Sequence, residues 1–168
     1  MNYHNITTND MNNGDGLRVV LWVAGCTHHC KGCQNPITWD AKDGLEFTED
    51  TLNEILEELS KPYVSGLTFS GGDPLHEANR ETIKKIARAV KMKYPDKTLW
   101  LYTGYSWEDI EEDMSLYRAI QLIDVLVDGR YEESLRDVSY PWAGSTNQRV
   151  IDVQISLATG RIILHESH

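Results

Sequence analysis

Cysteine is scarce in this 168-residue chain, and several features that would define a class of protein are missing. No apolar run is long enough to span a bilayer, which argues against a membrane-embedded protein. The 16 basic residues are outnumbered by 26 acidic ones, giving a formal net charge of −10. This charge argues against nucleic-acid binding, because affinity for phosphate needs a basic surface. No repeat, low-complexity tract or linker interrupts the sequence, so we expect a single domain over residues 1–168.

The three cysteines, Cys26, Cys30 and Cys33, lie within eight residues as Cys-Thr-His-His-Cys-Lys-Gly-Cys. Thiolates so close together can bind one soft metal centre, such as an iron–sulfur cluster or zinc. A cubane cluster has four irons, so three thiolates leave one iron open to a ligand that is not protein. Two alternatives compete with this interpretation. The first is a zinc site completed by His28 or His29, which stays open. The second is a disulfide, which would leave one thiol unpaired and is typical of secreted proteins. The polar start of the sequence does not resemble a secretion signal, which argues against the disulfide.

Apolar β-rich runs alternate with helical patterns along the chain. Leucine and isoleucine recur at helical spacing after an acidic turn at Thr48, and Ser106 to Asp109 has the form of a capping box. Such alternation predicts an α/β protein with a largely parallel sheet, and we expect the sheet to form a partial (β/α) barrel, although the pattern also allows an open sheet. Segments 150–155 and 161–164 predict a C-terminal hairpin around Gly160. The predicted parallel strands are 17–23, 67–69, 98–102 and 123–127.

Polar, glycine-bearing loops follow each of these four strands. The carboxyl ends of parallel strands form the ligand-binding edge of an α/β sheet, so these loops are expected to converge on one site. The pair Gly71-Gly72 removes side chains from a strand end, which lets a ligand lie against the backbone. The loops begin at Gly25-Cys26, Ser70-Gly71-Gly72-Asp73-Pro74, Thr103-Gly104-Tyr105 and Asp128-Gly129-Arg130.

The cysteine spacing together with Gly71-Gly72-Asp73 resembles the radical S-adenosylmethionine enzymes. The resemblance extends over nearly the whole chain to the activating proteins of the anaerobic ribonucleoside-triphosphate reductase. It rests on collinear segments: Met1-Asn2-Tyr3, Asn13 to Arg18, Gly25 to Asn35, Thr38-Trp39, Leu67 to His76, Thr103 to Tyr105, Val125 to Arg130 and Gly144 to Arg149.

This resemblance implies a specific chemistry. A [4Fe–4S] cluster is held by Cys26, Cys30 and Cys33, and S-adenosylmethionine chelates the fourth iron through its amine and carboxylate. One electron cleaves the sulfonium to methionine and a 5′-deoxyadenosyl radical, which takes a hydrogen from a glycine of the large reductase subunit. A flavodoxin or ferredoxin type protein supplies the electron, and the compartment is the reducing cytoplasm. No general acid or base is needed, in agreement with the lack of a triad or paired-carboxylate motif.

The resemblance also implies which residues meet S-adenosylmethionine. Gly71 and Gly72 are expected at its amino-acid end, where Asp73 either assists or caps the loop. Asp128 and Arg130 are expected to contact ribose or carboxylate, with an ion pair between them as the alternative. His28 is expected to shape the cysteine loop through hydrogen bonds. The remaining predicted cofactor contacts are Gly32, Cys33 and Gln34.

Other functions stay open at this point. The chain could activate a different glycyl-radical enzyme, such as pyruvate formate-lyase, or act on a small molecule. Its short length favours a protein substrate, because it leaves little room for a dedicated substrate domain. The non-enzyme alternative is a small zinc-binding adaptor, which would be colourless, whereas an iron–sulfur protein purified without oxygen would be brown.

Overall fold

The protein structure, a computed structural model, describes residues 1–26, 28 and 40–166. Within this part of the chain, seven strands form one sheet and five α-helices accompany it. The strands are β1 (Asn2–Asp10), β2 (Leu17–Val23), β3 (Leu45–Glu46), β4 (Val64–Gly71), β5 (Thr98–Tyr102), β6 (Val125–Asp128) and β7 (Arg149–Asp152). The helices are α1 (Glu49–Leu59), α2 (Arg80–Lys93), α3 (Trp107–Glu112), α4 (Met114–Ala119) and α5 (Val153–Thr159).

The sheet has a parallel centre and antiparallel edges. Its strand order is β3-β1-β2-β4-β5-β6-β7. Strands β2, β4, β5 and β6 pair in parallel, whereas β1, β3 and β7 join antiparallel. The predicted α/β class with a parallel core is therefore confirmed. We expected a partial barrel, and the sheet found is open, with β3 and β7 as its two edges.

The helices follow the capping and periodicity signals of the sequence. Helix α1 begins at a capping box between Thr48 and Thr51, and α3 begins at one between Ser106 and Asp109. The pattern after Ser106 predicts one helix through Ile120, but the chain breaks at Asp113, whose side chain caps α4. No helix among the described residues is both long and apolar enough to cross a membrane.

The predicted C-terminal hairpin is wrong in its first arm. Strand β7 ends at Asp152, whose side chain accepts a hydrogen bond from the Ile155 amide and so begins helix α5. Gly160, at φ +72°, ends that helix in the left-handed conformation. The returning segment forms an isolated antiparallel bridge between Ile151 and Leu164 in place of a second strand. The apolar residues after position 150 therefore lie partly in β7 and partly in the short helix α5.

The two faces of the sheet are covered differently. The main core lies on the helical side, where Val19, Leu21 and Val23 of β2 are fully buried beneath helix side chains. Alternate residues point to the opposite face, because successive strand residues face opposite ways. The register sets them in rows across the strands. The row nearest the carboxyl ends is Trp22, Ser70, Tyr102 and Val127, and the next is Val20, Thr68, Trp100 and Val125.

Candidate functional site

A cavity of about 650 Å³ lies against the second face of the sheet and reaches the carboxyl ends of its central strands. Cys26 after β2, Gly71 and Gly72 at the end of β4, Gly104 after β5 and Gly129 after β6 all line it. The predicted convergence of the four strand-end loops is therefore present. The volume is in the ordinary range for a small-molecule site.

Cys26 is the predicted cluster ligand that the structure describes. It is half-buried, and it stands three residues beyond the last residue of β2. Cys30 and Cys33, as well as the predicted cofactor contacts Gly32 and Gln34, lie outside the described residues. Among the described residues, no group of three or more His, Cys, Asp or Glu side chains could hold a metal ion. The three-cysteine ligand set therefore stays a prediction.

The glycine pair joins the end of β4 to the exit of β2. Gly71 has φ +99°, and a Cβ there would lie 2.6 Å from the backbone N and O of Val23. The Gly72 amide donates to the Val23 carbonyl at 2.8 Å, and the Asp73 amide donates to the Gly25 carbonyl at 2.7 Å. A side chain at position 71 would therefore collide with the neighbouring strand. Both glycines are partly exposed and line the cavity.

The Asp73 carboxylate is a buried junction between loops. Its Oδ1 accepts from the Leu75 amide at 2.9 Å, and both of its oxygens accept from the Thr103 hydroxyl. Its Oδ2 also accepts from the Gly104 amide at 3.0 Å and lies 2.7 Å from Nε2 of His28. This environment favours the loop-capping role of Asp73 over direct contact with a ligand.

His28 connects the cysteine segment to that junction. Its side chain is 3% exposed, and Nδ1 accepts a hydrogen bond from Nε of Arg130 at 3.1 Å. The ring packs edge-on against Tyr105, with centroids 4.8 Å apart. A Cβ on Gly104 would lie 2.4 Å from the imidazole, so glycine is required there. The predicted loop-shaping hydrogen bonds of His28 are present.

Asp128 pairs with Arg149 and not with Arg130. Its carboxylate accepts from the Trp107 amide at 2.8 Å and from both the backbone and the guanidinium of Arg149. The ion pair between Asp128 and Arg130, which was the alternative to ligand contact, is therefore wrong. Asp128 is buried with both oxygens occupied, which favours a structural role, and its contact with S-adenosylmethionine stays a prediction.

Arg149 is a residue to which the sequence patterns assigned no role. Its guanidinium spans Asp128 and Glu108, at 2.7 Å from the latter. Hydrogen bonding to Asp128, and then to Glu108, raises the pKa of Arg149 above its ordinary value. In return, the hydrogen bond from Arg149 lowers the pKa of the Glu108 carboxyl. No local sequence pattern predicts this site, because Glu108 and Asp128 are both distant from Arg149 in the sequence.

The floor of the cavity contains a buried phenol. Tyr102 lines the cavity, and its buried hydroxyl has no hydrogen-bond partner in the part of the chain that the structure describes. Burial raises its pKa. On the same face of the sheet, fully buried Arg18 donates to the Thr68 and Thr98 hydroxyls at 2.9 and 2.8 Å and to backbone carbonyls. Burial lowers the pKa of Arg18 to about 10, so the side chain is a cation at neutral pH.

The segment 136–144 forms the outer wall of the cavity. Trp142 packs edge-on against Trp100 of the sheet, with centroids 5.6 Å apart. Gln148 ties the wall to the strand-end edge, because its Oε1 accepts from the Gly144 amide at 3.0 Å while its Nε2 donates to the Gly129 carbonyl at 2.9 Å. Within the segment from Gly144 to Arg149, these hydrogen bonds therefore hold the wall closed.

Residues 12–151 match the family of 4Fe-4S single cluster domains. The match covers most of the chain and includes the cysteine segment, the glycine pair and the cavity wall. The chain belongs to this iron–sulfur family.

The relatives are more specific. The anaerobic ribonucleoside-triphosphate reductase-activating protein of enterobacteria phage T4 is 46% identical over 150 residues, which are 89% of this chain and 93% of that protein. Proteins of the same name in Vibrio cholerae and Escherichia coli K12 are 39% and 38% identical, covering 88% and 89% of this chain and 96% and 97% of their own lengths. The chain therefore belongs to the anaerobic ribonucleoside-triphosphate reductase-activating proteins.

Proposed function

We propose that this protein activates an anaerobic ribonucleoside-triphosphate reductase by generating a glycyl radical on its large subunit. The observation that carries the proposal is that Cys26, the first residue of the three-cysteine segment, lines the same cavity as Gly71 and Gly72. The 4Fe-4S family match and the names of the relatives support the same activity.

The residues around the cavity fit a cluster and S-adenosylmethionine. Three thiolates, from Cys26, Cys30 and Cys33, suit a cluster with one open iron. The partly exposed backbone at Gly72 borders the cavity beside Cys26, where an amino-acid group can lie against it. A bound cluster would supply one electron to S-adenosylmethionine, giving methionine and a 5′-deoxyadenosyl radical, which would take a hydrogen from the target glycine and leave as 5′-deoxyadenosine.

The contribution of the protein is to bind, orient and shield. The strand ends at Gly72 and Gly104 border the ligand space, and the wall 136–144 covers its outer side. A deoxyadenosyl radical attacks almost any nearby C–H bond, so selectivity must come from geometry. We infer that the target glycine enters at this edge, and that a flavodoxin or ferredoxin type protein in the cytoplasm supplies the electron.

The test combines the reduced activating protein, S-adenosylmethionine and the anaerobic reductase. The expected product is a glycine-centred doublet in the electron paramagnetic resonance spectrum. The doublet should vanish when the radical-site glycine of the reductase is replaced by alanine. A doublet obtained with pyruvate formate-lyase and never with the reductase would overturn the proposed partner, and colourless protein holding zinc without iron would overturn the radical chemistry.

A further inference from the structure

The imidazole of His28 is fixed by loops from three different strands. His28 lies two residues after Cys26 and two before Cys30. It contacts Asp73 after β4 at 2.7 Å and Arg130 after β6 at 3.1 Å. Gly104 after β5 lies against the ring so closely that no side chain would fit. One buried side chain of the cysteine segment is therefore held by the ligand-binding edge on three sides.

The hydrogen bonds of His28 determine its tautomer. The Nε of Arg130 is a donor with no acceptor capacity, so Nδ1 of His28 must carry a lone pair. The proton of the neutral ring is then on Nε2, where it is donated to Oδ2 of Asp73. The same carboxylate accepts from Thr103 and Gly104, so all of its neighbours are donors. The chain of bonds has a single direction, from Arg130 through His28 to Asp73.

Arg130 stands at the start of this series of hydrogen bonds and is exposed to solvent. Its carbonyl accepts from the Asn147 side chain at 2.8 Å, which secures the backbone, and its side chain is oriented through Nε by His28. A guanidinium is charged at any physiological pH. Arg130 is therefore a permanent positive charge bonded to a residue between two of the cysteines.

We propose that His28 is a positioning residue, which in its Nε2–H tautomer fixes the cysteine segment against Asp73 and holds the charge of Arg130 beside the cluster. The second half of this proposal rests on the proposed function, because it requires the cluster. Nearby charge and hydrogen bonding set the potentials of iron–sulfur clusters, and a positive charge favours the more negative reduced form. Arg130 accordingly raises the reduction potential of the cluster.

The first experiment needs no cluster. Nitrogen-15 spectra of the cluster-free full chain, labelled on histidine, distinguish the tautomers, and the His28→Gln variant assigns the signals. We expect His28 as the Nε2–H tautomer at pH 8, with an Nδ1 signal that shifts in Arg130→Gln and not in the matched control Arg161→Gln, which removes an exposed arginine beyond α5. An Nδ1–H tautomer, or a fast average of the two forms, would overturn the proposal.

The second experiment measures the midpoint potential of the reconstituted cluster without S-adenosylmethionine, so that any contact between Arg130 and that ligand does not contribute. We expect a more negative potential in Arg130→Gln, a value near that of the parent in Arg130→Lys, and no change in Arg161→Gln. Equal potentials in all four proteins would overturn the electrostatic half of the proposal. Both experiments are independent of glycyl-radical formation, so a failure of the proposed function would be seen separately.

Discussion

At the scale of single residues, the site separates groups that build the edge from groups that border the cavity. Asp73 and Asp128 are buried, and all of their carboxylate oxygens accept hydrogen bonds from the protein. Gly72 and Cys26 line the cavity and remain partly exposed. This favours structural roles for these two carboxylates, and we expect cofactor binding to depend mainly on thiolates and backbone groups.

Replacing any one of Cys26, Cys30 or Cys33 by alanine is expected to abolish S-adenosylmethionine cleavage. Two thiolates cannot hold a cubane with one iron open to the substrate. The measurement is the yield of methionine and 5′-deoxyadenosine after anaerobic reconstitution, beside the iron content and the thermal unfolding midpoint. Full cleavage by any single variant would remove that cysteine from the ligand set.

Gly72→Val should weaken S-adenosylmethionine binding and leave the iron content unchanged, because a branched side chain would occupy space at the edge of the cavity. Binding is measured by equilibrium dialysis of the reconstituted protein. A parallel loss of iron would indicate a folding defect, and unchanged affinity would place the ligand elsewhere.

The matched variant Gly71→Ala should act on folding instead. At φ +99°, with a Cβ 2.6 Å from the Val23 backbone, alanine is both strained and crowded. We expect a loss of about 1–3 kcal/mol in the free energy of unfolding, the usual cost of an unfavourable backbone conformation. Urea unfolding measures it, and an undiminished midpoint would show that the turn tolerates a side chain.

At the scale of elements, the sequence predicts the structure correctly where helical periodicity or a capping residue determines it. Helix α2 buries Ile83, Ile86 and Val90, which recur at helical spacing in the sequence. No sequence pattern predicts strand β1, because Asn2–Asp10 is largely polar. This segment becomes a strand by pairing antiparallel with β2. The same holds for the site. Its strand-end loops are predictable from local patterns, whereas the Asp128–Arg149 pair is not, because its two residues are 21 positions apart in the sequence.

The break between α3 and α4 gives a prediction at this scale. Asp113 accepts from the Ser115 amide at 2.9 Å and so begins α4. Asp113→Ala should lower the free energy of unfolding by about 1 kcal/mol, the usual cost of losing a helix cap. Asp113→Ser, which keeps a capping oxygen, should retain most of the stability in the same urea titration. Equal losses in both variants would show that the cap is not what stabilises this turn.

The contact between α3 and β7 depends on pH through Glu108. Its pKa is lowered in the folded state by the hydrogen bond from Arg149. The stabilisation is therefore present above the pKa of Glu108 in the unfolded chain and is lost as pH falls through its folded value. Since Glu108 is exposed, Glu108→Gln should cost less than about 1 kcal/mol at pH 7, and the difference from the parent should shrink in acid. The control Glu111→Gln removes a carboxylate from the same helix and keeps the pair of Glu108 with Arg149.

At the scale of the whole molecule, the strand-end edge and the rim of the cavity, which is the wall segment 136–144, lie on one side of the sheet, while α1 and α2 cover the other. On the rim, Val138 is 88% exposed and offers an apolar contact at the mouth of the cavity. A protein substrate whose glycine must reach the strand ends has to cover this rim. The interface with the reductase is therefore expected on the cavity side and not on the helices.

Val138→Asp should weaken binding to the reductase, because it places a charge where an apolar contact is expected. We expect a loss of about 5- to 30-fold, equivalent to about 1–2 kcal/mol. The matched control is Met92→Asp, which changes a 79% exposed side chain on α2 and introduces the same charge. Sedimentation with the purified reductase compares the two. Weaker binding by the Met92 variant alone would move the interface to the helical face, and the target glycine would then need another route to the strand ends.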